Sequence, residues 1–241
     1  NSIIFNSYSG FVVRQIQTTL EISNVTITGA KSNIGAVIYN TASDASITLS
    51  NMNIESNSTL SQNDALGGAI YSNSAMTITN TSFKGNSATT EGNSTSAKGG
   101  AIYAQKDINL IADSDNVEIV DNYIQDSSGT DNNAIYMANS STLTLNAKNN
   151  GRINLHDNIN GDNGYNVNIT GDGTGKVGLY ESINNADSIN VSNVDITTAN
   201  GEIENRNLNN LNIGNNVNLT VDVNLEDGTA DTITSNGTGT I

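Results

Sequence analysis

The sequence predicts an all-β fold, a single right-handed parallel β-helix with about three short strands in each coil. Three observations support this prediction. The 241 residues include 43 Asn, 22 Gly and no Pro, a composition poor in good helix formers. Apolar and polar residues alternate over short stretches, which is the period of half-buried strands. A repeat of 32 or 33 residues recurs along the first two thirds of the chain.

The repeat is anchored by an Ile-Tyr pair that follows Ala or Val and two small or polar residues. A unit of this length with three short strands cannot bury a core alone, so neighbouring units must stack. Equivalent residues would then lie about 4.8 Å apart along the axis. We expect the anchor isoleucines to form a column in the core and the tyrosines to face outward. The isoleucines are Ile38, Ile70, Ile102 and Ile135, and the tyrosines are Tyr39, Tyr71, Tyr103 and Tyr136.

A second motif, an apolar residue followed by two variable residues and Asn, lies between the anchors. Each copy follows a short alternating stretch such as Ile47-Thr48-Leu49. An Asn amide at a bend donates and accepts hydrogen bonds, so stacked copies should form a ladder of amides. The Gly-Gly pair before the second and third anchors would allow a positive φ at the corner, and Asn132-Asn133 can replace it before the fourth. The predicted ladder asparagines are Asn57, Asn86, Asn122 and Asn158.

The whole chain, residues 1–241, is expected to form one continuous β-helix. Residues 1–34 form an irregular first coil, in which the ladder position has drifted to Ala30. Residues 35–158 contain the coils with 32-residue repeats. Residues 159–241 keep alternating stretches without the anchor, which indicates shorter coils.

Additional residues separate each ladder asparagine from the next anchor. These segments are polar and longer than one corner requires, so we expect loops that protrude along one edge. Lines of such insertions often form the binding face of a solenoid, and solvated spacer loops are equally common. The candidate binding residues are Thr89, Thr90, Glu91, Asn93 and Ser94.

Charge and composition exclude several partners. The chain has 9 Lys and Arg against 24 Asp and Glu, a formal charge of −15, and its basic residues are scattered, which disfavours nucleic acid and anionic lipid. No apolar stretch is long enough to cross a membrane. The chain has no Cys, which excludes disulfides and thiol catalysis.

Residues for catalysis are sparse, and the sequence predicts a protein that is not an enzyme and has no cofactor or metal. The single histidine, His156, follows an inward Leu155 and is interpreted as an outward polar residue. Two Gly-Asp turns, at residues 161–164 and 171–175, offer oxygen ligands but lack a calcium repeat.

A rival hypothesis, a β-helical polysaccharide lyase or hydrolase, would need clustered carboxylates. The candidates are irregularly spaced, with no Lys or Arg among them in sequence: Asp113, Asp115, Asp121 and Asp126.

The repeats resemble a known family. Gly67-Gly68-Ala69-Ile70, Phe83-Lys84-Gly85-Asn86 and Gly99-Gly100-Ala101-Ile102 are similar to the GGA(I/L/V) and FxxN repeats of polymorphic outer-membrane proteins and related autotransporter passengers. Residues 218–231 resemble the end of many passengers, shortly before their membrane-embedded barrel. The resemblance covers about residues 35–158.

The resemblance implies a secreted or cell-surface β-helical stalk of a Gram-negative bacterium. It implies an adhesin or autoaggregation factor, whose partners are proteins or glycans of host or bacterial surfaces, or other copies of itself. Two alternatives stay open: the polysaccharide-degrading enzyme, and a structural filament or surface-layer subunit. The exposed tyrosines could also bind glycans by stacking, or simply cover the strand surface.

Overall fold

The computed structural model describes residues 2–10, 12–15, 18–93 and 96–235. These residues form 32 short strands and no helix, which confirms the all-β prediction. The strands are β1 (Ser2–Ser9), β2 (Val13–Gln15), β3 (Thr19–Ser23), β4 (Thr26–Ser32), β5 (Ile38–Asn40), β6 (Ser46–Ser50), β7 (Asn53–Glu55), β8 (Ser58–Ser61), β9 (Asp64–Leu66), β10 (Ile70–Ser72), β11 (Ala75–Thr79), β12 (Ser82–Lys84), β13 (Ser87–Thr90), β14 (Ser96–Lys98), β15 (Ile102–Ala104), β16 (Ile108–Asp113), β17 (Asn116–Val120), β18 (Tyr123–Asp126), β19 (Gly129–Met137), β20 (Thr142–Lys148), β21 (Arg152–Leu155), β22 (Asn158–Gly161), β23 (Tyr165–Gly171), β24 (Lys176–Leu179), β25 (Ala186–Ser192), β26 (Asp195–Thr197), β27 (Asn205–Asn207), β28 (Leu211–Ile213), β29 (Leu219–Thr220), β30 (Val223–Asn224), β31 (Thr229–Ala230) and β32 (Thr232–Thr234).

Most strands pair in parallel with strands one repeat away in the chain. One sheet has eight strands in the order β3, β6, β11, β16, β20, β23, β25 and β28. A second sheet joins three rows of strands. The nine-strand row is β1, β4, β7, β12, β17, β21, β24, β26 and β29. The six-strand row is β2, β5, β10, β15, β19 and β22, and the three-strand row is β8, β13 and β18.

The alternation of residues along each strand divides core from surface. Strands of the eight-stranded sheet, the nine-strand row and the six-strand row all contribute buried side chains to one continuous apolar cluster. Ile70 pairs in register with Ile38 on one side and with Ile102 on the other, and Ile102 pairs with Ile135. All four are at most 1% exposed. Burial of each stabilises the fold by about 1.5 to 3 kcal/mol.

Repeat length changes along the chain. Ile108 pairs with Leu143, which is 35 residues further on, whereas Val167 pairs with Ile189 after only 22 residues. The shorter repeats lack the three-strand row, whose last member ends at Asp126. The chain between residues 159 and 213 therefore keeps the core-forming strands and omits the extra segments.

The two glycines that precede the second and third anchors serve different purposes. Gly67 and Gly99 have φ values of +66° and +65°, as predicted for a corner. Gly68 and Gly100 do not need positive φ. A Cβ at Gly68 would lie 1.9 Å from the carbonyl oxygen of Gly100, so glycine is required there because two backbones approach closely.

Asn132-Asn133 does not replace the glycine pair in the predicted way. Both residues lie within β19 and neither has a positive φ. The start of β19 pairs antiparallel with β18, where Tyr123 faces Asn132. The chain therefore passes this position as an extended strand, and no left-handed corner is needed.

Candidate functional site

The predicted protruding loops are strands that form an additional layer. Residues 58–66, 87–93, 96–98 and 123–132, here called the side layer, contain the three-strand row together with the parallel pair β9 and β14. The side layer has its own small cluster of buried Ala65, Ala88 and Ala97, with Ile124 packed against it. Small Ala, Ser and Thr side chains let the strands pack closely, and their low hydropathy made these segments look like loops.

The side layer separates the candidate binding residues. Thr89 is half-buried on the outer side of β13, in register between Leu60 and Gln125. Thr90 is buried, with 7% exposure, so it is not a surface contact. Glu91 and Asn93 are exposed in the turn after β13. Ser94 lies outside the described residues.

The amide ladder runs through the corner between the nine-strand row and the side layer. The Oδ1 atom of Asn86 accepts from the backbone N–H and from the Nδ2 of Asn57, at 3.1 and 3.0 Å. Asn122 accepts the same two bonds from Asn86, at 3.0 and 2.9 Å. In the first repeat, Ala30 donates its N–H to Asn57. All three asparagines are 0% exposed, so the ladder satisfies buried polar groups.

The fourth member of the ladder is Asp157, so the prediction of Asn158 was wrong by one residue. Asp157 Oδ2 accepts from the N–H and Nδ2 of Asn122, at 2.9 and 2.8 Å. The earlier turns contain a left-handed residue before the asparagine, as at Gly85 and Asp121. The turn after Leu155 is one residue shorter, which brings Asp157 inward and places Asn158 in β22.

Asp157 ends the ladder because a carboxylate only accepts hydrogen bonds. It is 2% exposed. Burial raises its pKa from the ordinary 3.8 to about 6, against the bonds from Asn122 that lower it. The folded state therefore holds the proton more tightly than the unfolded chain does. Stability contributed by this group falls as the pH rises from about 4 to about 6.

Asp157→Asn is expected to stabilise the protein at pH 7 by about 1 to 3 kcal/mol, because an amide accepts the same bonds without a buried charge. At pH 4, where Asp157 is protonated in the folded state, the gain should nearly vanish. Urea unfolding at both pH values measures this difference. Asp44→Asn, at an exposed position, is the control. A gain that is equal at both pH values would contradict the raised pKa.

Three rings of the tyrosine row are stacked, whereas the fourth, Tyr39, is tilted by 48° against Tyr71. The ring centroids of Tyr71 and Tyr103 are 5.4 Å apart with 8° between the planes, and those of Tyr103 and Tyr136 are 5.6 Å apart with 12°. The Nζ of Lys98 lies 4.5 Å from the centroid of Tyr136. The ring faces that a sugar would stack on are therefore occupied, so this arrangement favours a surface-covering role.

A polar circuit on the outer face of β17, β21 and β24 was missed from the sequence. Asn154 donates to Glu118 Oε1 at 2.7 Å and accepts from Arg152 Nε at 2.6 Å. Arg152 donates to the Tyr180 hydroxyl at 2.7 Å. The Tyr180 ring stacks on His156 at 4.6 Å, and His156 Nε2 lies 3.5 Å from Glu118 Oε2. The sequence did contain a signal for this circuit, because strand alternation puts Arg152, Asn154 and His156 on one face.

The four candidate carboxylates do not form a site. They lie on separate elements: Asp113 ends β16, Asp115 precedes β17, Asp121 follows it and Asp126 ends β18. Asp113 faces Lys148 in register, with 3.0 Å between the charged groups, so a lysine does lie among these residues in space. Among the described residues, no three acidic or histidine side chains are grouped as metal ligands.

The carboxylates of the two Gly-Asp turns have partners within the protein. Asp172 accepts from Asn149 N–H at 2.8 Å and from the Thr174 hydroxyl at 2.7 Å, and its hydrogen bonds lower its pKa to about 2. Asp162 accepts from the Tyr136 hydroxyl at 2.6 Å. Both carboxylates therefore have structural roles in holding turns and neighbouring strands.

The described part of the chain contains no helix that would span a membrane. Searches of protein-family models, of curated proteins and of solved structures find no match to this chain.

Proposed function

We propose that the strands wind into one closed right-handed parallel β-helix. The support is that the eight-stranded sheet, the nine-strand row and the six-strand row share one apolar cluster. Register pairs also recur one repeat apart, with Ile70 between Ile38 and Ile102. A solenoid is the arrangement in which three rows can enclose a common core while each strand meets its equivalents.

We propose that this solenoid is a non-enzymatic autotransporter passenger on the surface of a Gram-negative bacterium, acting as an adhesin or autoaggregation factor. The observation that carries the proposal is the side layer. It has its own alanine cluster, so the main core does not need it. Its outer column of Leu60, Thr89 and Gln125 is a β surface available to another stalk or to a host surface.

Autoaggregation is the first test. With a charge of −15, copies repel one another at low salt, and the repulsion weakens as the Debye length falls from about 30 Å at 0.01 M to about 8 Å at 0.15 M. Light scattering should therefore show larger particles at the higher salt. Thr89→Glu, which adds a charge to the side layer, should abolish the growth. Thr77→Glu, in the outer column of the eight-stranded sheet, should leave it unchanged.

Particle size that does not depend on salt, or equal effects of the two variants, would contradict aggregation through the side layer.

Cleavage of an acidic polysaccharide is the second candidate function, favoured by the polar circuit. Arg152 and Lys176 are register neighbours and offer two cations for a sugar carboxylate, while Glu118 and His156 offer a base and an acid. Release of unsaturated uronides from pectate, lost in His156→Ala, would support this function in place of adhesion. The Arg152, Asn154 and Tyr180 contacts also suit a purely structural brace across β17, β21 and β24.

A further inference from the structure

The region after Lys176 is acidic and contains most of the exposed large apolar side chains. Arg206 is the only Lys or Arg beyond Lys176, whereas this region contains nine Asp and Glu. Four of the five large apolar side chains that the described residues leave exposed also lie here. They are Ile203, Leu219, Val223 and Leu225, with exposures of 39, 44, 56 and 90%.

These features meet in a groove of about 640 Å³ between the turn at residues 201–203 and the hairpin at residues 222–229. We call it the C-terminal groove. Its apolar lining comes from Ile203, Val223 and Leu225, and its acidic lining comes from Glu202, Asp222, Glu226 and Asp227.

The walls of the groove are held in place by hydrogen bonds. Asp222 Oδ2 accepts from the N–H groups of Asn200 and Gly201, both at 2.7 Å, and so ties the hairpin to the turn. β30 and β31 pair antiparallel. Asp227 accepts from the Thr229 hydroxyl at 2.6 Å and from Asn224 Nδ2 at 3.1 Å, closing the hairpin turn. Leu225 is therefore presented at the tip of a fixed turn.

The acidic lining has no counter-charge among the described residues. In this part of the chain, the ion pairs join Arg206 to Glu204 and Asp231, at 2.6 and 3.2 Å. Arg206 is 1% exposed and its guanidinium is occupied by these two ion pairs, so its charge is unavailable to the groove. Glu202, Glu226 and Asp227 face solvent beside exposed apolar surface.

We infer that the C-terminal groove binds a cationic amphipathic peptide segment, whose Lys or Arg side chains meet Glu202 and Glu226 while an apolar side chain covers Leu225. Charge complementarity selects this occupant. A second copy using the same groove would bring both sets of carboxylates together, which opposes self-association at this surface. An apolar patch rimmed by polar groups on a fixed scaffold is typical of a protein interaction site.

The probe is a short fluorescein-labelled peptide of alternating lysine and leucine, measured by fluorescence anisotropy at physiological ionic strength. A lysine and serine peptide keeps the charge without the apolar face, and a glutamate and leucine peptide reverses the charge. We expect binding of the first peptide alone. Leu225→Ser should weaken it about tenfold, and Glu226→Gln should weaken it several-fold and reduce its salt dependence.

Matched controls lie elsewhere on the molecule. Leu60 is 52% exposed in the side layer and Glu91 is exposed in the turn after β13, so Leu60→Ser and Glu91→Gln should leave binding unchanged. Equal binding of the lysine and serine peptide, equal effects of Leu60→Ser and Leu225→Ser, or no binding at all would overturn the inference. A dimer in sedimentation velocity that Leu225→Ser disrupts would assign the groove to a second copy and would also overturn it.

Discussion

Gly68→Ala is expected to destabilise the protein by more than about 4 kcal/mol, the range of the largest single-residue effects. The new Cβ would lie 1.9 Å from the carbonyl oxygen of Gly100 and 2.5 Å from the carbonyl carbon and oxygen of Ser87. All three atoms belong to the backbone, so no side-chain rotation can relieve the overlap. The corner would have to open, which would separate the six-strand row from the side layer.

Urea unfolding followed by circular dichroism measures the loss. Gly92→Ala is the control, because Gly92 has a φ of +74° and no atom within 4 Å of an added Cβ. It should cost only about 1 to 2 kcal/mol, from the left-handed backbone conformation. Similar unfolding midpoints for the two variants would show that the backbones at Gly68 can move apart.

Asn86→Leu is expected to lower the stability by about 2 to 6 kcal/mol. The substitution preserves the approximate shape of the side chain and removes both of its polar atoms. The backbone N–H and the Nδ2 of Asn57 then lose their shared acceptor. Each buried donor that is left unsatisfied costs about 1 to 3 kcal/mol.

Asn190→Leu provides the comparison for the ladder. Asn190 is exposed, and its side chain donates to Asn168 and Ser188 and accepts from Asn212. Water can replace these exposed bonds, so the loss of the side chain should change stability by less than about 0.5 kcal/mol. Equal denaturation midpoints for Asn86→Leu and Asn190→Leu would contradict a structural role for the buried amides.

The all-β class, the parallel pairing and much of the register were predictable because the pattern repeats. Alternation marks strands, and a constant spacing between anchors is enough to align Ile38, Ile70 and Ile102. The three isoleucines do pair in that register. The first repeat was also recognisable, since Ala30 occupies the ladder position and donates to Asn57.

The last member of the ladder was not predictable from the spacing of residues in the motif. Asn158 follows Leu155 after the expected two-residue spacer, so it matched the motif as well as Asn122 did. Spacing does not reveal a turn shortened by one residue, because the burial of Asp157 depends on the path of the backbone. The sequence signal for the correct ladder position was the adjacent Asp157, whose carboxylate can accept the same hydrogen bonds as an Asn side chain.

The candidate surfaces were the least predictable features. Ala65, Ala88 and Ala97 bury little area each, so their cluster produces no hydrophobic pattern that stands out from a polar loop. The circuit of Glu118, Arg152 and Tyr180 joins three strands that are distant in sequence. The C-terminal groove depends on the hairpin of β30 and β31, and the alternation of apolar and polar residues from 219 to 223 does not reveal this hairpin.

The amide ladder links each repeat to both of its neighbours. The backbone N–H and the Nδ2 of one member donate to the side-chain oxygen of the next, so Asn57 bonds to Asn86, Asn86 to Asn122, and Asn122 to Asp157. The same Nδ2 groups also donate to carbonyls of the preceding repeat, those of Ile27, Ile54 and Phe83. Opening of an internal repeat therefore breaks buried hydrogen bonds on both sides, and we expect the stretch from Ala30 to Asp157 to unfold as one cooperative unit.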